Sequence, residues 1–288
     1  MKSHRLVTFQ TLSVPKPLVF TLSGLVVLII AYIIVYQLSP FPEPWSDLFL
    51  VYVIVAAAFA AAIFSTKVWR TFLADDKPRV VWKYFSLGWW LWAIAELIWA
   101  IYYLFDPEVP AISLADPFWV MAYFLFGAAF LFQFRLVSTL SPQKRYLWTI
   151  LGSVIALALS LVGSILWVSF NPESEMTWGE AFLTIFYVAA DLGIMIAAIR
   201  LGRIFKRGLW GQAWLGLLAF VISDALYSYA TFSGMYAYSL ETGNTLTLVV
   251  DLLYLLAYLL IVVGCHMHYL LVRFGPNMRP LPQPETTE

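Results

Sequence analysis

The stretch Val81–Phe105, VWKYFSLGWWLWAIAELIWAIYYLF, decides the fold. It exceeds the roughly 20 apolar residues that cross a bilayer. It has one base, Lys83, near its start and one acid, Glu96, deep inside. A helix apolar on every face is buried in lipid or in a large core. The rest of the chain has the same character: 62% of 288 residues are hydrophobic, 12% are charged, and mean hydropathy is +0.81. A soluble domain runs at roughly half apolar and a quarter charged, so lipid must cover the excess. Formal net charge is zero, which gives no basic bias towards nucleic acid. The single cysteine, Cys265, rules out an intramolecular disulfide.

Working outward from that stretch, eight segments are long and apolar enough to span: 17–38, 47–66, 81–105, 117–137, 146–170, 178–199, 209–232 and 246–273. In lipid, segments of this length satisfy their backbone only as helices. The connections alternate in charge. Lys2, Arg5 and Lys16 precede the first span; Lys67, Arg70, Lys77 and Arg79 follow the second; Arg135, Lys144 and Arg145 follow the fourth. Arg200, Arg203, Lys206 and Arg207 follow the sixth, and Arg273 and Arg279 close the series. The other connections hold only acids: Glu43, Asp106 with Glu108, Glu173 with Glu175, and Glu241. The positive-inside rule puts both termini in the cytoplasm. The expectation is an all-α, eight-span integral membrane protein, N-in and C-in. The first span is read as retained, because Tyr36-Gln37-Leu38-Ser39-Pro40 offers no signal-peptide cleavage site.

Two pairs of spans share residues at constant offset. Gly88, Trp92, Glu96 and Trp99 align with Gly216, Phe220, Asp224 and Tyr227. Asp116, Trp119, Ala122, Tyr123 and Leu125 align with Asp251, Tyr254, Ala257, Tyr258 and Leu260. Units of four spans sit the same way up, so the expectation is two parallel four-helix repeats related by an axis along the membrane normal. The organisation is then a cytoplasmic arm over 1–16, repeats over 17–139 and 140–275, and a disordered proline-rich tail over 276–288.

The acids carry the functional signal. Glu96, Asp116, Asp224 and Asp251 each precede Trp or Tyr by three residues, on one helix face. Asp191 is a fifth, near the middle of the sixth span. At about 1.5 Å per residue, the first four gather in the outer half of the bilayer. An acid there is costly, about 2.5–3.5 kcal/mol on insertion scales, and normally faces the bundle interior. The candidate ligand-binding residues are Glu96, Asp191, Asp224 and Asp251 with Trp92, Trp99, Tyr227 and Tyr254. Such a pocket suits a cation, an amine or a coupled proton. The competing reading is structural: buried Trp N–H and Tyr O–H groups need acceptors, and the carboxylates supply them between helices. Asp116, preceding Pro117, reads as an N-cap. His266 and His268, two apart on a helix, do not converge on a metal. No metalloprotease, serine-hydrolase or phosphate-loop motif is present, so an enzyme is the least supported class and no cofactor is indicated.

The segment Ser113-Leu-Ala-Asp116-Pro-Phe-Trp119-Val-Met-Ala-Tyr123 resembles part of the membrane-embedded amino-terminal region of some bacterial GGDEF-type diguanylate cyclases and sensor histidine kinases. Tyr187-Val-Ala-Ala-Asp191-Leu, Ser223-Asp224-Ala-Leu-Tyr227 and Asp251-Leu-Leu-Tyr254 resemble further helices of those regions. The resemblance covers roughly residues 81–274. It implies a sensory module in the bacterial cytoplasmic membrane, here with no output domain before Glu288. The implied partners are lipid and either a separate cytoplasmic signalling protein or a second copy in a homodimer. A small secondary transporter or proton-coupled permease, and a structural subunit of a membrane complex, remain as alternative functions.

Overall fold

The structure, a computed structural model, describes residues 16–42, 44–105, 110, 112–138, 166, 170, 177–205, 212–232, 235–236 and 245–275. Among these are seven helices: α1 (Lys16–Leu38), α2 (Trp45–Thr71), α3 (Lys77–Phe105), α4 (Asp116–Ser138), α5 (Trp178–Ile204), α6 (Gln212–Phe232) and α7 (Thr245–Phe274). All seven are long and apolar enough to cross a membrane. They correspond to seven of the eight expected spans. The remaining one, 146–170, lies almost wholly outside the described residues, as do the arm before Lys16 and the tail after Gly275.

Local chemistry sets several helix ends. Prolines at 40, 42 and 44 interrupt the chain between α1 and α2, where a missing N–H and a fixed φ stop a helix. Between α2 and α3 the Asp76 carboxylate accepts the Leu73 N–H at 2.8 Å. α5 opens on a capping box in which the Thr177 hydroxyl accepts the Glu180 N–H and the Glu180 carboxylate accepts the Thr177 N–H.

Helices α2 to α7 pack in a closed circuit: each lies against the next, and α7 returns to α2. α1 lies outside the circuit, against α7 and α2. Most of α1 is exposed and apolar, with Phe20 at 78% and Val27 at 65%. Exposed aliphatic and aromatic side chains also cover other helices, among them Met121, Phe124 and Leu131 on α4. An apolar surface of this extent needs lipid against it. On the opposite face of α1, Tyr32 and Tyr36 are buried, and the Thr21 hydroxyl meets His266 Nδ1 on α7 at 2.9 Å.

Two glycines set the closest approaches. A Cβ at Gly88 on α3 would meet the Phe126 ring on α4 at 2.6 Å. A Cβ at Gly216 on α6 would meet Ile261 on α7, its side chain at 2.6 Å and its backbone N at 2.9 Å.

The centre of the circuit is aromatic. Trp82, Phe85, Trp89, Phe126, Trp214 and Phe220 are all buried. Phe85 packs on Trp214 at 5.2 Å, Trp89 on Phe126 at 5.1 Å, and Phe130 on Trp214 at 4.7 Å between ring centroids. Among the described residues these rings occupy the half of the bundle at the α2–α3 turn. The other half, at the α1–α2 turn, holds a cavity.

Candidate functional site

The cavity encloses about 290 Å³. α3 contributes Trp92, Glu96, Trp99 and Tyr103; α4 contributes Trp119 and Tyr123; α6 contributes Asp224, Tyr227 and Ser228. α7 contributes Thr247, Val250, Asp251 and Tyr254, and Tyr236 reaches in from the segment before it. Tyr32 of α1, Tyr187 of α5 and Asp47 with Leu50, Val51, Ile54 and Val55 of α2 complete the wall. Four carboxyls therefore line it, with no Lys, Arg or His among the lining residues.

Glu96 is the centre of the floor. It is buried, and its Oε1 accepts three bonds: Trp92 Nε1 at 3.0 Å, Tyr254 O–H at 3.0 Å and Tyr258 O–H at 2.8 Å. The Trp92 N–H is shared with the Tyr258 oxygen at 2.7 Å. Trp92 lies one turn before Glu96, on the side towards which helical side chains lean. Its ring packs edge-on against Phe220 of α6 at 4.9 Å and 90°. Glu96 thus joins α3 to α7, and its neighbour Trp92 joins α3 to α6.

The remaining acids are also held by tyrosines. Asp191 on α5 accepts the Tyr123 O–H from α4. Asp251 accepts the Tyr236 O–H at 2.7 Å and, more weakly, the Tyr32 O–H at 3.4 Å. Asp116 accepts the Tyr187 O–H at 2.6 Å. Its other oxygen turns back to the Ser113 N–H at 2.6 Å and the Ser113 hydroxyl at 3.1 Å. The N-cap reading of Asp116 is therefore corrected. The Ala115 carbonyl accepts the first N–H groups of α4, and the Asp116 carboxylate ties the preceding loop and α5 to the helix start.

Of the eight residues expected at the site, seven line the cavity: Glu96, Asp224, Asp251, Trp92, Trp99, Tyr227 and Tyr254. Asp191 is not in the wall and stands behind it, bonded to Tyr123. Carboxyl–tyrosine bonding between helices is present at Glu96, Asp191, Asp251 and Asp116, so two of the cavity acids, Glu96 and Asp251, also have a structural role. Sequence reasoning missed Tyr32, Asp47 and Tyr236. Tyr32 sits in a span whose only evident signal is hydrophobicity, and Tyr236 sits between spans. Asp47 reads as an ordinary first-turn acid, favourable at a helix N-terminus.

Among the described residues no group of three or more His, Cys, Asp and Glu is placed to hold a metal ion. His268 is buried against Trp82, with ring centroids 4.4 Å apart, in the aromatic half. No family model, curated protein or solved structure matches the chain.

Proposed function

We propose that the chain is a sensory, ligand-binding module of a bacterial cytoplasmic membrane, and that its ligand occupies the acid- and aromatic-lined cavity in the outer half of the bilayer. The observation that carries this reading is the division of the described helices into a half that holds a cavity and a half packed with aromatic rings. A site that binds and reports needs one access route. Alternating access needs a second route through the other half, where buried rings pack at ordinary aromatic distances. The transporter reading keeps one observation in its favour, the buried carboxyls of Glu96 and Asp191, which suit proton coupling.

The resemblance to the input regions of diguanylate cyclases and sensor kinases supports the sensory role. The charge alternation supports eight spans with both ends inside. The two glycine contacts support the repeat: Gly88 and Gly216 occupy matching positions, and so do their contacts Phe126 and Ile261, under the offsets that align the acids. Output would pass to a cytoplasmic signalling protein or to a second copy. In proteoliposomes the purified chain is expected to bind without uptake. Accumulation of a bound compound against its gradient would replace this reading by the transporter.

A further inference from the structure

We propose that the cavity takes a small organic ammonium ion, its charged head met by the wall carboxyls, Asp224 among them, and its apolar body by Trp99 and Tyr227. This inference rests on the reading of the cavity as a ligand site.

Hydrogen-bond bookkeeping selects the ligand's polarity. Five tyrosines of the wall, Tyr32, Tyr123, Tyr187, Tyr236 and Tyr254, already direct their hydroxyl hydrogens at carboxylates. They offer a ligand oxygen lone pairs and ring faces. The Trp92 N–H is likewise committed to Glu96 and Tyr258. The Trp119 N–H is buried and has no partner among the described residues. All three bonds to Glu96 fall on Oε1, so Oε2 stands outside that network on a residue that lines the cavity. A carboxylate accepts at both oxygens. These carboxyls and committed hydroxyls present acceptors, and so favour donors and positive charge.

Hard cations take six or more oxygen ligands at short range, and among the described residues no three His, Cys, Asp or Glu side chains are grouped to hold a metal ion. The volume of about 290 Å³ falls at the lower edge of small-molecule sites, about 300–1,000 Å³. Aromatic faces around an ammonium group are a recurrent way to hold organic cations. Trp99 and Tyr103 stack at 5.9 Å and 22°, and Tyr227 meets Tyr236 edge-on at 5.1 Å, so ring faces and edges bound the space on two sides.

The test uses the purified full chain and three probes of one shape: 2-phenylethylammonium, its neutral alcohol 2-phenylethanol, and 3-phenylpropanoate. Binding is read as a concentration-dependent rise in Tm, which mass action requires of a ligand held by the folded state. The ammonium probe is expected to bind, the alcohol at least about tenfold more weakly, and the carboxylate not at all. Asp224→Asn is expected to weaken the ammonium probe about tenfold, and Trp99→Leu, which leaves every carboxyl in place, about twofold to thirtyfold. Equal binding of the alcohol, abolished by Trp99→Leu, would overturn the ammonium inference and leave the ligand site standing. No shift of the wild-type chain by any probe would overturn both.

Discussion

Replacing Gly216 by alanine tests the packing that holds the cavity walls together. In an open helix interior the change is favourable by about 0.8–1.0 kcal/mol, because glycine is the more costly residue there. At Gly216 the new Cβ would lie 2.6 Å from Ile261 Cγ1, 2.9 Å from its backbone N and 3.1 Å from its Cα. A side chain can rotate; the α7 backbone cannot move without carrying Tyr258 and Tyr254 away from Glu96. Overpacking of this kind costs about 1–3 kcal/mol. Gly24 and Gly127 have nothing within 4 Å of an added Cβ, so Gly24→Ala and Gly127→Ala supply the propensity gain alone. The difference between Gly216→Ala and these controls isolates the clash. At about 2–4 °C per kcal/mol, it should appear in a thermal melt in one detergent as roughly 2–12 °C. Gly88→Ala should behave like Gly216→Ala, because the Phe126 ring it would strike is itself packed against Trp89 and Trp92. A Gly216→Ala protein as stable as the Gly24→Ala protein would refute the close α6–α7 approach.

Other expectations follow from the hydrogen bonds. Trp92→Phe keeps an aromatic ring but loses the N–H shared by Glu96 and Tyr258 together with part of the ring volume, and is expected to lower stability by at least about 1–3 kcal/mol, read by denaturation. Asp251→Asn weakens the acceptor for Tyr32 and Tyr236, and should raise amide hydrogen exchange in α1 above that of the other helices. Thr177→Ala removes one side of the α5 capping box, with an expected loss of about 1 kcal/mol, seen as faster exchange at residues 178–181.

Much of this site could be read from the sequence because charge inside a membrane is expensive. That cost alone singles out Glu96, Asp224 and Asp251, and the aromatic residues a few positions away follow from their need for acceptors. The pairing itself was less legible. Spacing of three suggested Trp99 as the neighbour of Glu96, yet the bond comes from Trp92, because helical side chains lean towards the amino end. The other two donors, Tyr254 and Tyr258, come from α7, and no local pattern reveals which helix will face which. Asp191 is expected at the site as an acid near the middle of its span, but it bonds Tyr123, and Tyr123 lines the space in its place. Tyr32 had no signal, since one hydroxyl at the buried edge of a lipid-facing helix changes neither hydropathy nor charge.

The central claim is a carboxyl-lined cavity reached from outside the cell, and cysteine accessibility tests it most directly. Ser228 lines the cavity and is exposed, whereas the native Cys265 is buried. In a Cys265→Ser background, Ser228→Cys should react from outside with a membrane-impermeant, positively charged methanethiosulfonate. The negatively charged analogue should react much more slowly, and Asp224→Asn should narrow the gap. Equal rates for the two reagents, or labelling from the cytoplasmic side alone, would contradict the account.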